Sequence, residues 1–227
     1  IHVTGNLKFD VPVPESLIRA GKSLREDWGL DRFVMIAAST HRGEEQGVLD
    51  AFGELRKAYP ETLLVLVPRH PERFNSVARL CRRAGYKVIR RSQYQGALEP
   101  GVAVLVGDTM GELQKLYVAS EVAFVGGSLV PIGGHNLLEA CAVGVPVIFG
   151  PHMFNVEEIS EMVVTRGAGR QVESTLTLTR AAADYLEQPA LREKASEAAR
   201  RLVSENRGAL ERTLSLIDST LTSARLG

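Results

Sequence analysis

The stretch FVMIAAS, residues 33–39, is apolar at six of its seven positions, with no alternation. A strand with one face in water alternates apolar and polar residues; a strand buried on both faces does not. This run therefore reads as a strand sealed between two layers. Five comparable runs follow: TLLVLVP (62–68), YKVIRRS (86–92), VAVLVGD (102–108), EVAFVGG (121–127) and VPVIFGP (145–151). Helical stretches separate most of them, near 44–58, 71–84, from about 111, 135–143 and 156–164. Buried strands interleaved with helices imply parallel order and right-handed crossovers. The expected fold class is α/β, a doubly wound, Rossmann-like parallel sheet whose ligand crevice lies beyond the carboxyl ends of its strands.

Outward from this sheet the ends look different. GNLKFDVPVPESL (5–17) carries Pro12 and Pro14 ahead of a helical stretch near 15–27, so residues 1–31 read as a linker and lead-in helix. Residues 32–205 form the expected sheet domain, helical from about Thr177 onward. NRGA (206–209) sets off a carboxyl-terminal helix over 206–227.

The 227 residues suffice for one large or two small domains, and 44% apolar with 24% charged residues is ordinary for a soluble globular chain. Lysine plus arginine equals aspartate plus glutamate at 27 each, which argues against nucleic-acid binding by bulk charge. Cys81 and Cys141 match neither a metal-ligand spacing nor a disulfide framework and read as buried, reduced thiols. No apolar run approaches the roughly 18 residues needed to span a bilayer. The chain starts at Ile1 rather than methionine and reads as a soluble, processed or excised portion of something longer.

Function in such a sheet is decided at the strand ends. After the first strand, STHRGEE (39–45) offers Ser39 or Thr40 as a helix cap, with Glu44 and Glu45 favourable to the helix dipole; a ligand role for the turn stands beside that reading. His41 and the glutamates fit no metal motif. After the second, VPRHPER (67–73) holds Arg69 and His70 between prolines, and a guanidinium fixed there suits a phosphate or carboxylate. After the fourth, GDTMGE (107–112) puts Met110, Gly111 and Glu112 in the first turn of a helix, where free N–H groups suit a base edge or an anionic oxygen; a capping box from Asp108 or Thr109 to Glu112 fits nearly as well.

The fifth strand leads into GGSLVPIGGHNLLEA (126–140). Four glycines (126, 127, 133, 134) permit close backbone approach, and the helix expected from His135 aims its positive end at the crevice. Asn136 and Glu139 share a face of it, and a carboxylate there can accept from two sugar hydroxyls. The stretch is neither a Walker loop nor the dinucleotide G-x-G-x-x-G. Arg79, Arg82 and Arg83 share one helix face, with Lys87, Arg90 and Arg91 nearby; a solvated face or a contact with an anionic membrane surface would account for them.

Together VTGNLKFD, ASTHRGEE, VPRHPER, GDTMGE, GGSLVPIGGHNLLEA and GVPVIFGPHMFN resemble the Kdo transferase family, GT-B glycosyltransferases that move 3-deoxy-D-manno-octulosonic acid from CMP-Kdo to lipid A precursors. The resemblance implies the carboxyl-terminal, donor-binding half of that fold. It places Arg69 and His70 by CMP, Met110, Gly111 and Glu112 on the nucleotide, and Asn136, Leu137, Leu138 and Glu139 along it, with Glu139 on the ribose hydroxyls. Thr40, His41, Gly127, Ser128, Gly134 and His135 are further donor contacts it suggests. The general base, acceptor surface and membrane anchor belong to the family's other half, so no catalytic residue is expected here, and this chain alone should bind donor without turnover. Transfer with inversion, in lipopolysaccharide biosynthesis at the cytoplasmic face of the bacterial inner membrane, needs no cofactor. CMP's single phosphate needs no metal. The alternatives are a non-hydrolysing sugar-nucleotide epimerase-like domain and a non-catalytic membrane-docking module.

Overall fold

Each of the six apolar runs becomes a strand in the computed structural model, which describes residues 2–225. They are β1 (Val34–Thr40), β2 (Leu63–Pro68), β3 (Val88–Arg90), β4 (Val104–Val106), β5 (Val122–Val125) and β6 (Val147–Phe149). A seventh, β7 (Gly169–Gln171), was not expected; only Gly169 of it is buried, so it shows no apolar run. Every pairing is parallel, in the order β3-β4-β2-β1-β5-β6-β7. The chain builds outward from β1 on one side, then returns to lay β5 against its other edge. That reversal between β1 and β5 is where a doubly wound sheet opens its crevice.

The helices are α1 (Glu15–Trp28), α2 (Glu44–Ala58), α3 (Phe74–Arg83), α4 (Leu113–Val118), α5 (Leu138–Ala142), α6 (Glu157–Thr165), α7 (Thr175–Glu187), α8 (Pro189–Asn206) and α9 (Ala209–Arg225). Alternation along each strand splits the interior into two cores. Val34, Ile36 and Ala38 of β1 face Leu24 and Trp28 of α1, Leu116 of α4, Leu138 and Cys141 of α5 and Val163 of α6. Met35 and Ala37 face Val48 and Phe52 of α2, Val77 and Cys81 of α3 and Leu178 and Tyr185 of α7. Both cysteines are free, and burial pushes each thiol up to about 12.

Several expected boundaries move. Within the lead-in segment Phe9, Val11, Leu24 and Trp28 are buried in the first core. The Asp10 carboxylate accepts from the N–H groups of Gly208 (2.6 Å) and Leu210 (2.7 Å), tying the lead-in to the start of α9. The long terminal helix breaks once more than expected, because Pro189 cannot continue α7 and instead opens α8. Ser174 caps α7 in a capping box with Thr177, so that helix starts at Thr175. Among the described residues no helix is long and apolar enough to cross a membrane.

The fit of α1 on α4 gives a first prediction. A Cβ at Gly21 would lie 2.3 Å from Val118 Cβ and 3.0 Å from the Lys115 carbonyl oxygen. Gly21→Ala gains about 1 kcal/mol of helix propensity but is overpacked by about 1–3 kcal/mol. Urea unfolding should show net destabilisation; an unchanged or higher midpoint would mean that α1 shifts freely over α4.

Candidate functional site

At the carboxyl ends of β1, β2, β4 and β5 lies a cavity of about 330 Å³ lined by Ser39, Arg69, Met110, Gly111, His135, Asn136 and Glu139, among others. That volume falls within the range of small-molecule sites, about 300–1,000 Å³. Four separated segments thus meet at one rim. Phe74 and Tyr117 also line it and were not expected, because a residue inside a helix gives no sequence sign that it faces the crevice. Ser39 was expected only as a cap, yet it lines the wall with φ 55, a left-handed conformation unusual for serine, at a register shift between β1 and β2.

The glycine stretch is organised from inside the protein. Glu44, 1% exposed, sends its carboxylate under the loop and accepts from the N–H groups of His41 (2.9 Å), Gly127 (2.7 Å), Ser128 (3.0 Å) and Leu129 (2.9 Å). The expected role of Glu44, completing a helix dipole, was too modest: this carboxylate fills an anion-binding concavity that the chain itself creates. Ser128 is fully buried, donating to the Val125 carbonyl oxygen and accepting from Gly150 N–H. The Gly134 N–H donates to Gly127 O at 2.7 Å. The backbone donors of Gly127, Ser128 and Gly134 are therefore spent internally, holding the loop.

The space the glycines leave is also filled from within. A Cβ at Gly126 would sit 2.6 Å from Ser39 O; one at Gly133 would meet Asn155 at 2.2 Å; one at Gly134 would meet Met153 at 2.5 Å. The close approach they permit is by the chain itself. Gly111 differs: its φ is +77, and a Cβ there would meet nothing within 4 Å, so this glycine faces the open cavity.

The helix expected from His135 begins at Leu138 and is short. Asn136 Oδ1 accepts from Leu138 N–H at 3.0 Å, and its amide donates to Glu139 Oε1 at 3.3 Å. Asn136 thus caps the turn and steadies Glu139, while both side chains line the cavity. Leu137 and Leu138 are fully buried core residues. Likewise α4 begins at Leu113, two residues later than expected.

Four further candidates, Thr40, His41, His70 and Glu112, are not among the residues that line the cavity. Glu112 is taken up by Arg91 (3.1 Å), Lys115 and Thr109. Burial pushes its carboxyl up, but those hydrogen bonds and cations outweigh burial and hold it below its ordinary value. His70 is exposed, edge-on to His41 with ring centroids 5.2 Å apart. Thr40 is fully buried, and its hydroxyl has no hydrogen-bond partner among the described residues. Arg69 is exposed, makes no ion pair among the described residues, and is anchored by its N–H to Thr40 O at 3.0 Å. It is the cavity's uncompensated cation.

His41 and His135 meet at their Nε2 atoms, 2.7 Å apart. Burial, then His41, Arg69 and His70, push His135 down to about 4. Burial is also the largest cause of the lowering at His41, opposed by Glu44. Among the described residues no group of three or more His, Cys, Asp or Glu side chains could hold a metal ion. The basic surface is smaller than its residue count: Lys87 pairs with Glu99, Arg90 with Asp108 and Arg91 with Glu112, leaving Arg79, Arg82 and Arg83 exposed on α3.

The sequence model for "Glycosyl transferases group 1" matches residues 22–202. The chain is 45% identical over 218 residues to a 3-deoxy-D-manno-octulosonic acid transferase of Haemophilus influenzae, covering 96% of this chain and 51% of that protein. It is 42% identical over 222 residues to the transferase of the same name from Bordetella pertussis, again covering 96% and 51%. A crystal structure of the C-terminal CMP-Kdo binding domain of WaaA from Acinetobacter baumannii matches with a TM-score of 0.78 at 33% identity, covering 84% of this chain and 99% of that one. The chain spans about half the length of the curated relatives it matches.

Proposed function

The chain belongs to the 3-deoxy-D-manno-octulosonic acid (Kdo) transferases, within the group 1 glycosyltransferases, and from that premise we propose that it is the half of such an enzyme that binds the activated sugar, CMP-Kdo. The observation that carries this reading is the single cavity shared by Arg69, Met110, Gly111, Asn136 and Glu139. Arg69 supplies a free guanidinium for the one phosphate of CMP. The exposed turn at Met110 and Gly111 offers backbone donors to the base. Glu139, steadied by Asn136, accepts from the ribose hydroxyls.

Loss of CMP places growing negative charge on the leaving phosphate, and a fixed cation there is worth more in the transition state than in the ground state. In this reading the general base and the lipid A precursor site lie in the other half of the enzyme. An acceptor hydroxyl attacks the anomeric carbon and displaces CMP with inversion, and this chain alone holds donor without transferring it. The work takes place at the inner membrane, where Arg79, Arg82 and Arg83 are available to anionic headgroups.

Titration calorimetry of this chain with CMP and with UDP tests the donor assignment. Heat with CMP and markedly weaker heat with UDP is the expected result. Clear heat with UDP and none with CMP would overturn it.

A further inference from the structure

The rings of His41 and His135 stack with centroids 5.0 Å apart and planes within 12°. Their Nε2 atoms are 2.7 Å apart, and at that distance one nitrogen must carry a proton while the other lacks one. The intact pair therefore excludes the doubly charged state. When both rings are neutral, one of them must hold its proton on Nδ1.

The surroundings decide which. Around His41 lie Glu44 and Glu45 of α2, with His70 and Arg73 opposing them. The one permanent charge bearing on His135 is the Arg69 guanidinium, with the His41 and His70 rings adding to it only when protonated. Carboxylates near one ring and a guanidinium near the other make His41 the donor and His135 the acceptor. Beneath them, Glu44 holds both His41 N–H and Gly127 N–H, so the two segments that present the rings share one anchor. A Cβ on Gly127 would touch the His135 ring at 3.0 Å, so the ring lies close against this glycine's backbone.

We propose that His41 is a positioning residue: it donates from Nε2 to His135 Nε2 and so leaves His135 with its proton on Nδ1, an uncharged donor on the cavity wall for an anionic oxygen of the ligand. The hydrogen bond follows from the pair itself and its direction from the charges around it; the identity of the ligand rests on the donor reading above. Burial supports the assignment, since it holds His135 down at about 4 and therefore neutral through the physiological range. The sign follows: the unfolded ring takes its proton near 6.5 and the folded one only near 4, so stability is lost as pH falls across that interval.

Long-range ¹H–¹⁵N correlation spectra of the ¹⁵N-labelled chain, without ligand at pH 7, read the tautomers directly. His135 is expected as the Nδ1–H form and His41 as the Nε2–H form. His41→Ala should release His135 to the Nε2–H form and weaken CMP about tenfold, the loss of roughly one hydrogen bond to a charged group. His41→Gln, whose amide can donate in place of the ring, should retain the Nδ1–H form and most of the affinity. An Nε2–H tautomer on His135 in the wild type, or two rings titrating independently near their ordinary values, overturns the proposal. Failure of CMP to bind a chain that shows the expected tautomers would sink the donor reading and leave the His41-to-His135 hydrogen bond standing.

Discussion

Glu139→Ala is expected to weaken CMP binding by on the order of a hundredfold while leaving the thermal midpoint of the free chain nearly unchanged. Two ribose hydroxyls donating to one carboxylate amount to two charge-assisted hydrogen bonds, together about 3 kcal/mol or more. Removing the acceptor leaves both hydroxyls facing an apolar stub. The folded chain loses little, because the Glu139 carboxylate accepts from the Asn136 amide at a long 3.3 Å. The discriminating ligand is 2′-deoxy-CMP. Wild-type chain should bind it about tenfold more weakly than CMP, one hydrogen bond of this kind being worth about 1.5 kcal/mol. In the alanine variant that difference should vanish, since the carboxylate that sensed the hydroxyl is gone. Equal affinity of the wild type for CMP and its deoxy form would move Glu139 off the sugar. Glu139→Gln should fall between the two, retaining acceptor geometry without charge.

How far the sequence led depended on whether a feature is local. Unbroken apolar runs such as FVMIAAS demand burial on both faces, and that demand alone yields the parallel sheet and the edge where ligands sit. Arg69 and Gly111 were legible because each lies in the loop that follows a strand, β2 and β4, where chain direction places them at the crevice. The strand β7 was not legible, since GRQ carries no apolar run and is held by pairing with β6. The break at Pro189 was hidden by an otherwise continuous helical pattern. The glycines of 126–134 say less than they suggest for a physical reason: a stripped backbone signals that something approaches, without saying what. At 126, 133 and 134 the visitor is another segment of the same chain, and at 111 it is open space. Positive φ at Ser39 and the meeting of His41 with His135, 94 residues apart, arise only when the sheet closes.

Glu44→Gln carries the largest expected cost to the fold, about 3–5 kcal/mol. The native carboxylate offers both oxygens to four backbone N–H groups in a site with almost no water. A glutamine replaces one oxygen with an NH₂ group that points donors at donors, so two N–H groups lose their acceptor and the rest lose the charge. For a chain of 227 residues that cost lowers the melting temperature by roughly 10 °C. Glu45→Gln is the control, since Glu45 is just as buried but pairs with Arg73, whose guanidinium stays partly in water and can be rehydrated. CMP binding should suffer in the first variant more than in the second, because Gly127, Ser128 and Leu129 lead directly into the turn that sets His135, Asn136 and Glu139. A Glu44→Gln chain that melts with the wild type would mean that the loop holds its shape without its anchor. Comparable losses in both variants would instead trace the effect to general disturbance of the start of α2.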